Sequence, residues 1–427
     1  MSSSLYTAAG FHALATTSTD PSGAAAAATS TILETIDPAT ISYPTTDLED
    51  PAPAVSDPHT SKVLEMASTL LRSGQVIGMP TETVYGLAAN ALDAIAAKKI
   101  FEAKKRPQDN PLIVHVSSLR MLRSMLKDNK IPPIYDALIR EFWPGPLTLL
   151  FPRSNLIPNE ITCGQETVAV RFPSHPIARA LISVCDRPLA APSANSSGKP
   201  SPTLASHVMD DLAGKIPMVI DGGQCSFGIE STVVDGLRTP PAILRPGGVT
   251  YEQIRSITGM EHVQVYKKHF TDAVLEQAPT TPGMKYRHYS PEAEVVLVEH
   301  SGPFEHSANG TTASTGSTPN VFSPQYTRIL SEIQALRNNG KTRFGILRTT
   351  LTLEKTRQAL NGETDGIIEF SLGQGSKPDD VARELFRGLR FLDGHNVDTI
   401  FVEGISEDNE GMAVMNRVRK AASRTIS

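Results

Sequence analysis

The sequence indicates its architecture most clearly at residues 75–86, which read QVIGMPTETVYG. The first five residues form a short, largely apolar run that predicts a buried strand, and Pro80 marks its end because proline lacks the N–H that a strand ladder needs. Two threonines and Glu82 follow at once, so hydroxyls and a carboxylate stand at the end of a strand. A simple turn with a helix cap has the same composition. This loop alone therefore leaves a structural and a functional interpretation equally open.

Helical and strand patterns alternate on both sides of this stretch. A helix is predicted between Lys62 and Gly74, where apolar residues recur at helical spacing. Further helices are predicted near residues 94–103, 119–126, 135–142 and 176–184, and further strands at residues 112–116, 147–151, 168–172, 218–221, 231–235 and 242–245. Interleaved helices and many short strands indicate an α/β or α+β sheet domain over residues 59–260.

A second, smaller domain is predicted over residues 292–427. Strands are predicted at residues 295–298, 344–347, 367–370 and 399–402, and helices near residues 326–337, 378–391 and 412–424. Repeated βα units of this kind are typical of a Rossmann-like domain with a parallel sheet. Residues 261–291 form a connector that is dense in tyrosine and charge towards its end. Residues 307–319 are rich in Ser, Thr and Gly, and we expect them to be a disordered insertion.

The N-terminal segment, residues 1–58, has a different composition, dominated by Ala, Ser, Thr and Pro. We expect a disordered tail, because such a segment buries too little apolar surface to offset its chain entropy, and a short docking segment is the alternative. The formal net charge of −5 also belongs to this end, since the first 61 residues hold seven acids and no Lys or Arg. Residues 62–427 carry 40 basic and 38 acidic side chains, a balance of +2. The overall acidity therefore says nothing about what the folded part binds.

Composition and cysteine count exclude several classes of protein. A chain with 40% hydrophobic residues is not wholly disordered. Its three cysteines are widely spaced and form no CxxC pair, so a disulfide framework and a cysteine zinc site are both excluded. No apolar run approaches the roughly 20 residues that span a bilayer, and the N-terminus has neither the charged region of a signal peptide nor presequence arginines. A cytoplasmic protein with no membrane partner is expected.

The common nucleotide, metal and hydrolase motifs are missing. Gly340-Lys341-Thr342 comes nearest to a P-loop, but Ala335 stands where the first glycine is needed and the segment follows a predicted helix. No G-x-G-x-x-G opens a helix after a strand, and no HExxH or G-x-S-x-G occurs. A P-loop enzyme, a dinucleotide oxidoreductase and a protein-built metal site are therefore not predicted.

Basic side chains beside strands are the remaining chemical signal. Lys104 and Arg106 end a helix before a proline, where they could merely complement the helix dipole. Arg171 lies inside an apolar strand, so it must meet an anion, either an internal carboxylate or a ligand. With Arg245 at a further strand end, these cations suggest a concavity for a polyanion such as a nucleotide. His115 follows in a strand, and a buried core histidine is a serious competing interpretation.

Taken in order, these motifs resemble the YrdC-like threonylcarbamoyl-AMP synthases in their long two-domain form. The matching motifs are Pro80–Gly86, Lys104–Leu112, Pro144–Thr148, Val168–Pro173, Pro192–Asn195, Glu230–Asp235, Leu244–Gly247, a linker at Pro282–Pro291 and a final motif at Ala413–Arg417. The resemblance covers the chain from about residue 60 onward. It implies a twisted mixed sheet whose helices form a basic concavity, followed by the Rossmann-like domain.

The resemblance also implies a reaction and a set of site residues. The family condenses L-threonine, bicarbonate and ATP into threonylcarbamoyl-AMP with release of pyrophosphate, and a partner complex transfers the threonylcarbamoyl group to tRNA beside the anticodon. The residues implied are Lys104 and Arg106 for catalysis; Thr83, His115, Arg171, Ala191 and Ser231 for threonine; Arg106, Asn110, Thr167, Ser193, Asn195, Ser201 and Arg245 for ATP; and Tyr286, His288 and Tyr289 as a linker lid. Mg²⁺ is expected to arrive with ATP.

Two other functions fit part of the pattern. A module that binds double-stranded RNA or tRNA, with no nucleotidyl transfer of its own, could use the same basic concavity for the phosphate backbone. The small charge of residues 62–427 and the low aromatic content of 6% argue against RNA binding as the sole function. A carbamoyltransferase of hydrogenase maturation contains a related domain, but the paired CxxC motifs of that family are absent here.

Overall fold

Two β-sheets organise the chain in the computed structural model, which describes residues 30–272, 275, 280, 288–299, 324–349 and 365–427. The strands of the first part are β1 (Ile32–Thr35), β2 (Ile41–Ser42), β3 (Ala54–Val55), β4 (Ile77–Met79), β5 (Gly86–Asn90), β6 (Ile113–His115), β7 (Leu147–Pro152), β8 (Thr167–Arg171), β9 (Leu189–Ala190), β10 (Met218–Asp221), β11 (Thr232–Asp235), β12 (Ala242–Arg245) and β13 (Gln264–Val265). Its α-helices are α1 (Pro58–Arg72), α2 (Ala94–Lys104), α3 (Leu119–Met125), α4 (Asp136–Phe142), α5 (Asn159–Thr162), α6 (Pro176–Cys185), α7 (Ala205–Leu212) and α8 (Tyr251–Arg255).

The first sheet is mixed. Its strand order is β1-β10-β4-β5-β9-β6-β8-β7-β11-β12-β13, while β2 and β3 form a separate antiparallel pair. The pairs β1/β10, β10/β4, β6/β8, β7/β11 and β12/β13 are parallel, and the remaining neighbours are antiparallel. This arrangement confirms the mixed sheet with helices that the resemblance implied.

Helix α1 illustrates how local sequence sets an element and its packing. Asp57 caps its N-terminus by accepting a hydrogen bond from the Thr60 N–H at 2.8 Å, and Pro58 occupies the first helical position, where no N–H is needed. Val63, Leu64, Ala67 and Leu71 lie on one buried face, and the helix packs against α6. Burial of this apolar stripe, more than helix propensity, holds α1 on the sheet.

The N-terminal segment departs from the expected disorder. Within residues 30–58, β1 adds a parallel strand to the sheet edge, with Ile32 opposite Met218, and the Thr31 hydroxyl donates to the Ile216 carbonyl at 2.6 Å. Ile36 and Ile41 are buried in the core. The expectation of disorder is therefore wrong for residues 30–58. This segment needs no core of its own, because it forms hydrogen bonds with an existing sheet and buries its apolar side chains in the core of the first part. Residues 1–29 lie outside the described residues.

The second part is a parallel sheet. Its elements are β14 (Glu294–Val298), α9 (Pro324–Asn338), β15 (Phe344–Arg348), β16 (Ile367–Ser371), α10 (Pro378–Gly394), β17 (Thr399–Glu403), α11 (Gly411–Ala421) and β18 (Arg424–Ile426). The strand order is β16-β15-β17-β14-β18, and every neighbouring pair is parallel. The predicted parallel βα domain is confirmed, although α11 ends three residues earlier than expected and a further strand, β18, follows it. The insertion predicted at residues 307–319 lies outside the described residues.

The two parts pack directly against each other. Val84 and Ile229 of the first part belong to the same buried apolar cluster as Leu385 and Phe386 of α10. Close to this cluster, Gly228 has a φ of +71°, and a Cβ there would overlap the carbonyl of Arg383. The close approach of backbones at Gly228 therefore depends on the absence of a side chain.

Alanine at Gly228 is expected to weaken this packing. Gly223→Ala is the matched control, because Gly223 also has a positive φ, +84°, but no atom lies within 4 Å of the place that a methyl group would take there. Both variants carry left-handed strain of about 1–2 kcal/mol. Gly228→Ala should lose about 1–3 kcal/mol more, because the helix must shift to admit the methyl group. Urea unfolding checks the difference, and equal losses in both variants would contradict it.

Candidate active site

A cavity of about 230 Å³ lies where several strand-end loops of the first part meet the connector. Twelve of the residues assigned from the sequence line it: Thr83, Lys104, Arg106, Asn110, His115, Arg171, Ala191, Ser193, Ser231, Arg245, His288 and Tyr289. Thr167, Asn195 and Ser201 are not among its lining residues, and Tyr286 lies outside the described residues. The fold thus collects side chains that are up to about two hundred positions apart in the chain.

Helix α2 ends where it delivers two cations to the cavity. Asp93 caps its N-terminus, and Lys105 adopts a left-handed φ of +51° that terminates it. Lys104 is buried and donates to the Ser193 carbonyl and, at 2.6 Å, to the Asn195 carbonyl. Burial, with the neighbouring charge of Arg106, holds the pKa of Lys104 well below its usual value. Lys104 therefore fastens the loop at residues 193–195 to the end of α2.

Arg106 extends from the same helix end with fewer partners. Its guanidinium donates to the Asn110 carbonyl at 2.8 Å and lies 5.8 Å from the centre of the Phe101 ring. No carboxylate of the described residues forms an ion pair with Arg106. Burial lowers its pKa, although an arginine remains charged at neutral pH. Arg106 thus presents to the cavity a cation that has no ion-pair partner in the described part of the chain, although the nearby Asp109 carboxylate attracts it.

Arg171 forms an ion pair with an internal carboxylate. The sequence had allowed either such a carboxylate or a ligand as its anionic partner. Its Nη2 lies 2.5 Å from Glu82 Oε1, and its Nη1 donates to the Thr83 hydroxyl at 2.7 Å. Its Nε donates to the Gly145 carbonyl at 3.2 Å. Burial acts to raise the pKa of Glu82, but Arg171 and the Ser174 N–H outweigh it and hold that pKa below its usual value. The cavity wall therefore contains a buried, balanced ion pair.

Two buried polar atoms at the cavity have neither a hydrogen-bond nor an ion-pair partner within the described ranges. They are Nδ1 of His115 and Oδ1 of Asn110. His115 is only 3% exposed, and burial together with the charge of Arg171 lowers its pKa to about 3, so its imidazole is neutral at neutral pH. Buried polar atoms in folded proteins are nearly always paired. These two atoms therefore offer an acceptor and a ring nitrogen to a ligand.

Arg245 and Glu230 form another charged part of the cavity wall. Arg245 donates to the Ser231 carbonyl at 2.9 Å and to the Ser231 hydroxyl at 3.2 Å, and burial lowers its pKa to about 10. The Ser231 hydroxyl also lies 2.8 Å from that of Thr148. Burial alone would raise the pKa of Glu230, but Arg417 and Arg245 outweigh it and hold the pKa at about 2. This side is charged and largely paired internally.

Three predicted residues, Asn195, Ser201 and Thr167, are not among those that line the cavity. Asn195 donates to the carbonyls of Ser196 and Lys199 and accepts from Lys104, so it shapes its own loop. The Ser201 hydroxyl donates to Glu230 Oε1 at 2.6 Å. Thr167 begins β8, and its buried hydroxyl has no partner in the described part of the chain. The structure thus places Asn195 and Ser201 next to cavity residues, and Thr167 at the start of β8, rather than in the lining.

Sequence reasoning assigned no role to Glu82, Glu230 or Arg417, yet all three are buried charges around the cavity. Arg417 had a detectable signal. It stands four residues from Ala413 and four from Ala421, in the apolar stripe of a predicted helix, where an arginine needs a partner. The carboxylates stood inside quoted motifs. Only their spatial pairing, which the sequence does not contain, distinguishes them from exposed acids.

Metal ligands and membrane spans are both absent from the described part of the chain. Within those ranges, no group of three or more His, Cys, Asp or Glu side chains is arranged to hold a metal ion. Among the same residues, no helix has the length and apolar character needed to cross a bilayer. The three cysteines are free thiols, with Cys185 and Cys225 buried.

A cation-lined cavity in a mixed α/β sheet, which packs against a second parallel-sheet domain, is typical of an enzyme site for a small anionic ligand. The family model Sua5_yciO_yrdC, described as "Telomere recombination", matches residues 69–247, and the Sua5_C model, "Threonylcarbamoyl-AMP synthase, C-terminal domain", matches residues 249–423. The chain belongs to the family of threonylcarbamoyl-AMP synthases, in its two-domain form.

Individual relatives support this membership over nearly the whole chain. The threonylcarbamoyl-AMP synthase of Pyrococcus abyssi is 43% identical over 365 residues, which cover 85% of this chain and 95% of the relative. That of Schizosaccharomyces pombe is 42% identical over 422 residues, covering 92% and 98%. The crystal structure of P. abyssi Sua5 complexed with L-threonine has a TM-score of 0.74 at 38% identity, covering 93% of this chain and all 100% of that one.

Proposed function

We propose that this enzyme makes threonylcarbamoyl-AMP from L-threonine, bicarbonate and ATP and releases pyrophosphate. The observation that carries the proposal is the pair of unpartnered polar atoms, His115 Nδ1 and Asn110 Oδ1, in a cavity that also holds the guanidinium of Arg106, which has no ion-pair partner among the described residues. Neutral polar groups such as His115 and Asn110 suit a zwitterionic ligand such as an amino acid. The cation of Arg106 suits a polyanionic ligand such as a nucleoside triphosphate. The names of the relatives and the threonine complex of P. abyssi Sua5 point to the same substrates.

Threonine is proposed to lie against Thr83, His115, Arg171, Ser231 and the backbone at Ala191, all of which line the cavity. Because Arg171 is already balanced by Glu82, it attracts the α-carboxylate mainly through its remaining N–H donors. Neutral His115 can accept a hydrogen bond without repelling an amine. This arrangement favours an uncharged amino group, which is the form that reacts with CO₂ or bicarbonate.

The nucleotide is proposed to lie against Arg106, Asn110, Ser193 and Arg245. A carbamate oxygen would form a bond to the α-phosphorus while the bond from that phosphorus to the bridging oxygen breaks, and pyrophosphate leaves with the bonding electrons. Arg106, Arg245 and Lys104, which all line the cavity, offset the negative charge that develops. Asn195 and Ser201 are proposed to act by holding Lys104 and Glu230 in place. Contact between Thr167 and ATP, and delivery of Mg²⁺ with the phosphates, remain predictions.

The connector is proposed to close the nucleotide end of the cavity. Tyr289 is buried, its ring centre lies 5.1 Å from that of Phe386 in α10, and His288 packs on it at 4.3 Å. Burial raises the pKa of Tyr289 to about 12, with a further contribution from Glu230, so the phenol keeps its proton. Two aromatic groups at this position would shield a reactive mixed anhydride from water. The product would then pass to a complex that modifies tRNA.

The proposal is tested by measuring pyrophosphate release from Mg-ATP with and without L-threonine and bicarbonate. We expect release only when both co-substrates are present, together with a product whose mass is that of threonylcarbamoyl-AMP. Adding EDTA should stop the reaction, because the phosphates need their metal ion. No turnover with complete substrates would contradict the proposal. If tRNA instead bound without ATP or threonine, and more weakly as salt increased, the RNA-binding alternative would replace it.

A further inference from the structure

The second domain places one fully buried arginine against the wall of the cavity. Arg417 lies on α11, and its side chain has no exposed surface. Its Nε donates to Glu230 Oε2 at 3.0 Å, and its Nη1 donates to the Pro246 carbonyl. Both acceptors belong to the first domain. A burial this complete is rare for an arginine unless its charge is paired, and here the pair spans the two domains.

The two acceptors lie in the loops that carry the cavity residues. Glu230 directly precedes Ser231, and Pro246 directly follows Arg245. Ser231 and Arg245 are joined to each other by the hydrogen bonds from the guanidinium to the serine carbonyl and hydroxyl. One guanidinium, that of Arg417, therefore holds both loops at once. It fixes the distance between a proposed threonine contact and a proposed ATP contact.

Glu230 transmits this restraint further around the cavity. Its second oxygen, Oε1, accepts a hydrogen bond from Ser201 at 2.6 Å, and its charge contributes to the raised pKa of Tyr289 in the connector. The Tyr289 ring centre lies 6.0 Å from the Arg417 guanidinium carbon. Without Arg417, a buried carboxylate would face the cavity with less compensation and would repel a triphosphate. Arg417 thus both holds the loops of this part of the cavity in place and compensates the charge of Glu230.

We propose that Arg417 of the second domain is a positioning residue for the cavity, and that it acts through Glu230 and the Pro246 loop. The inference rests on the proposed function, since Ser231 and Arg245 are assigned to threonine and ATP there. It gives the second domain a defined task, which is to hold two substrate-binding loops of the first domain in register. Arg417 itself does not line the cavity.

The kinetic test compares Arg417→Gln with Arg419→Gln in the full-length protein. Arg419 is the matched control, because it lies on the same helix but is about half exposed and pairs with Glu299 and Glu407 of the second domain. We expect Arg417→Gln to lower kcat/KM about 10²-fold, with higher KM values for both threonine and ATP, because displaced loops bind both substrates less well. Arg419→Gln should behave as wild type.

Comparing the change in kcat with the changes in the two KM values distinguishes a positioning role for Arg417 from a simple loss of folded protein. If Arg417→Gln lowered kcat in proportion to the folded fraction and left both KM values unchanged, the inference would be overturned. Arg417→Lys should recover part of the loss, since lysine keeps the charge but reaches only one of the two acceptors. Combined with Glu230→Gln, Arg417→Gln should add much less than it does alone, because the two residues act as one unit. Fully additive losses would contradict action through Glu230.

Hydrogen exchange of the free protein tests the same inference without any substrate. We expect peptides covering residues 228–233 and 243–249 to exchange faster in Arg417→Gln than in Arg419→Gln, since only the first variant releases both loops. Equal exchange in the two variants would overturn the inference. If the wild type released no pyrophosphate, the proposed function would fail, while this exchange experiment would still decide whether Arg417 holds the loops.

Discussion

Replacing Arg106 with alanine is expected to reduce pyrophosphate release by at least about 10³-fold, the range seen when a transition-state arginine is removed in phosphoryl transfer. Arg106 lines the cavity and forms no ion pair with a carboxylate of the described residues, so its guanidinium can pair with the phosphates. Its loss also leaves no buried carboxylate behind. The variant should therefore fold normally and fail in chemistry. Pyrophosphate release measured beside urea unfolding checks both parts of this expectation.

Lys105→Gln is the control for Arg106→Ala. Lys105 is the adjacent cation and is exposed to solvent, so its removal changes the net charge equally without altering the cavity. It should retain nearly full activity. Retained turnover in Arg106→Ala, or an equal loss in Lys105→Gln, would show that local net charge rather than this guanidinium drives the reaction.

Replacing Arg171 with alanine is expected to lower the free energy of unfolding by about 3–5 kcal/mol, the usual effect of removing one partner of a buried ion pair. Glu82 would remain buried without the guanidinium at 2.5 Å, and the Thr83 hydroxyl and Gly145 carbonyl would lose their donors. Sequence reasoning alone predicts mainly a higher threonine requirement for this variant. The ion pair adds a large stability loss to that effect.

The stability loss of Arg171→Ala should depend on pH. In the wild type, Glu82 has a lowered pKa, so its contribution to stability is present above its unfolded pKa and is lost as pH falls through the folded value. In the variant, burial acts without Arg171 and raises that pKa. The loss should therefore shrink as pH falls and Glu82 takes up a proton. Urea unfolding at pH 7 and at pH 5 measures this change.

Two further variants complete the Arg171 experiment. Arg187→Ala removes an exposed arginine near Asp186 and should change stability by less than about 0.5 kcal/mol. Arg171→Met combined with Glu82→Met removes both charges and should be less destabilised than Arg171→Ala, since no buried charge remains. If Arg171→Ala were as stable as wild type at pH 7, the Glu82 pair would have no structural importance.

Much of the fold could be predicted because the buried faces of helices and strands place apolar residues at regular spacing in the sequence. The strand predicted at residues 218–221 coincides with β10, and that predicted at residues 242–245 coincides with β12. The sequence does not predict strand β5 at residues 86–90, because its residues Gly-Leu-Ala-Ala-Asn show neither alternation nor β-branched side chains. Its neighbours β4 and β9 supply the hydrogen bonds that make it a strand. Such a strand is defined by its partners.

The sequence by itself determined where most of the strands lie and that cations stand at the ends of several of them. Those features depend on residues close together in the chain, where spacing and composition are visible. Only the tertiary structure decided that Arg171 pairs with Glu82, 89 positions away, and that Arg417 pairs with Glu230, 187 positions away. The physical reason is that a buried charge requires a partner but does not specify which one. Packing of loops and domains makes that selection, and with it the shape of the cavity.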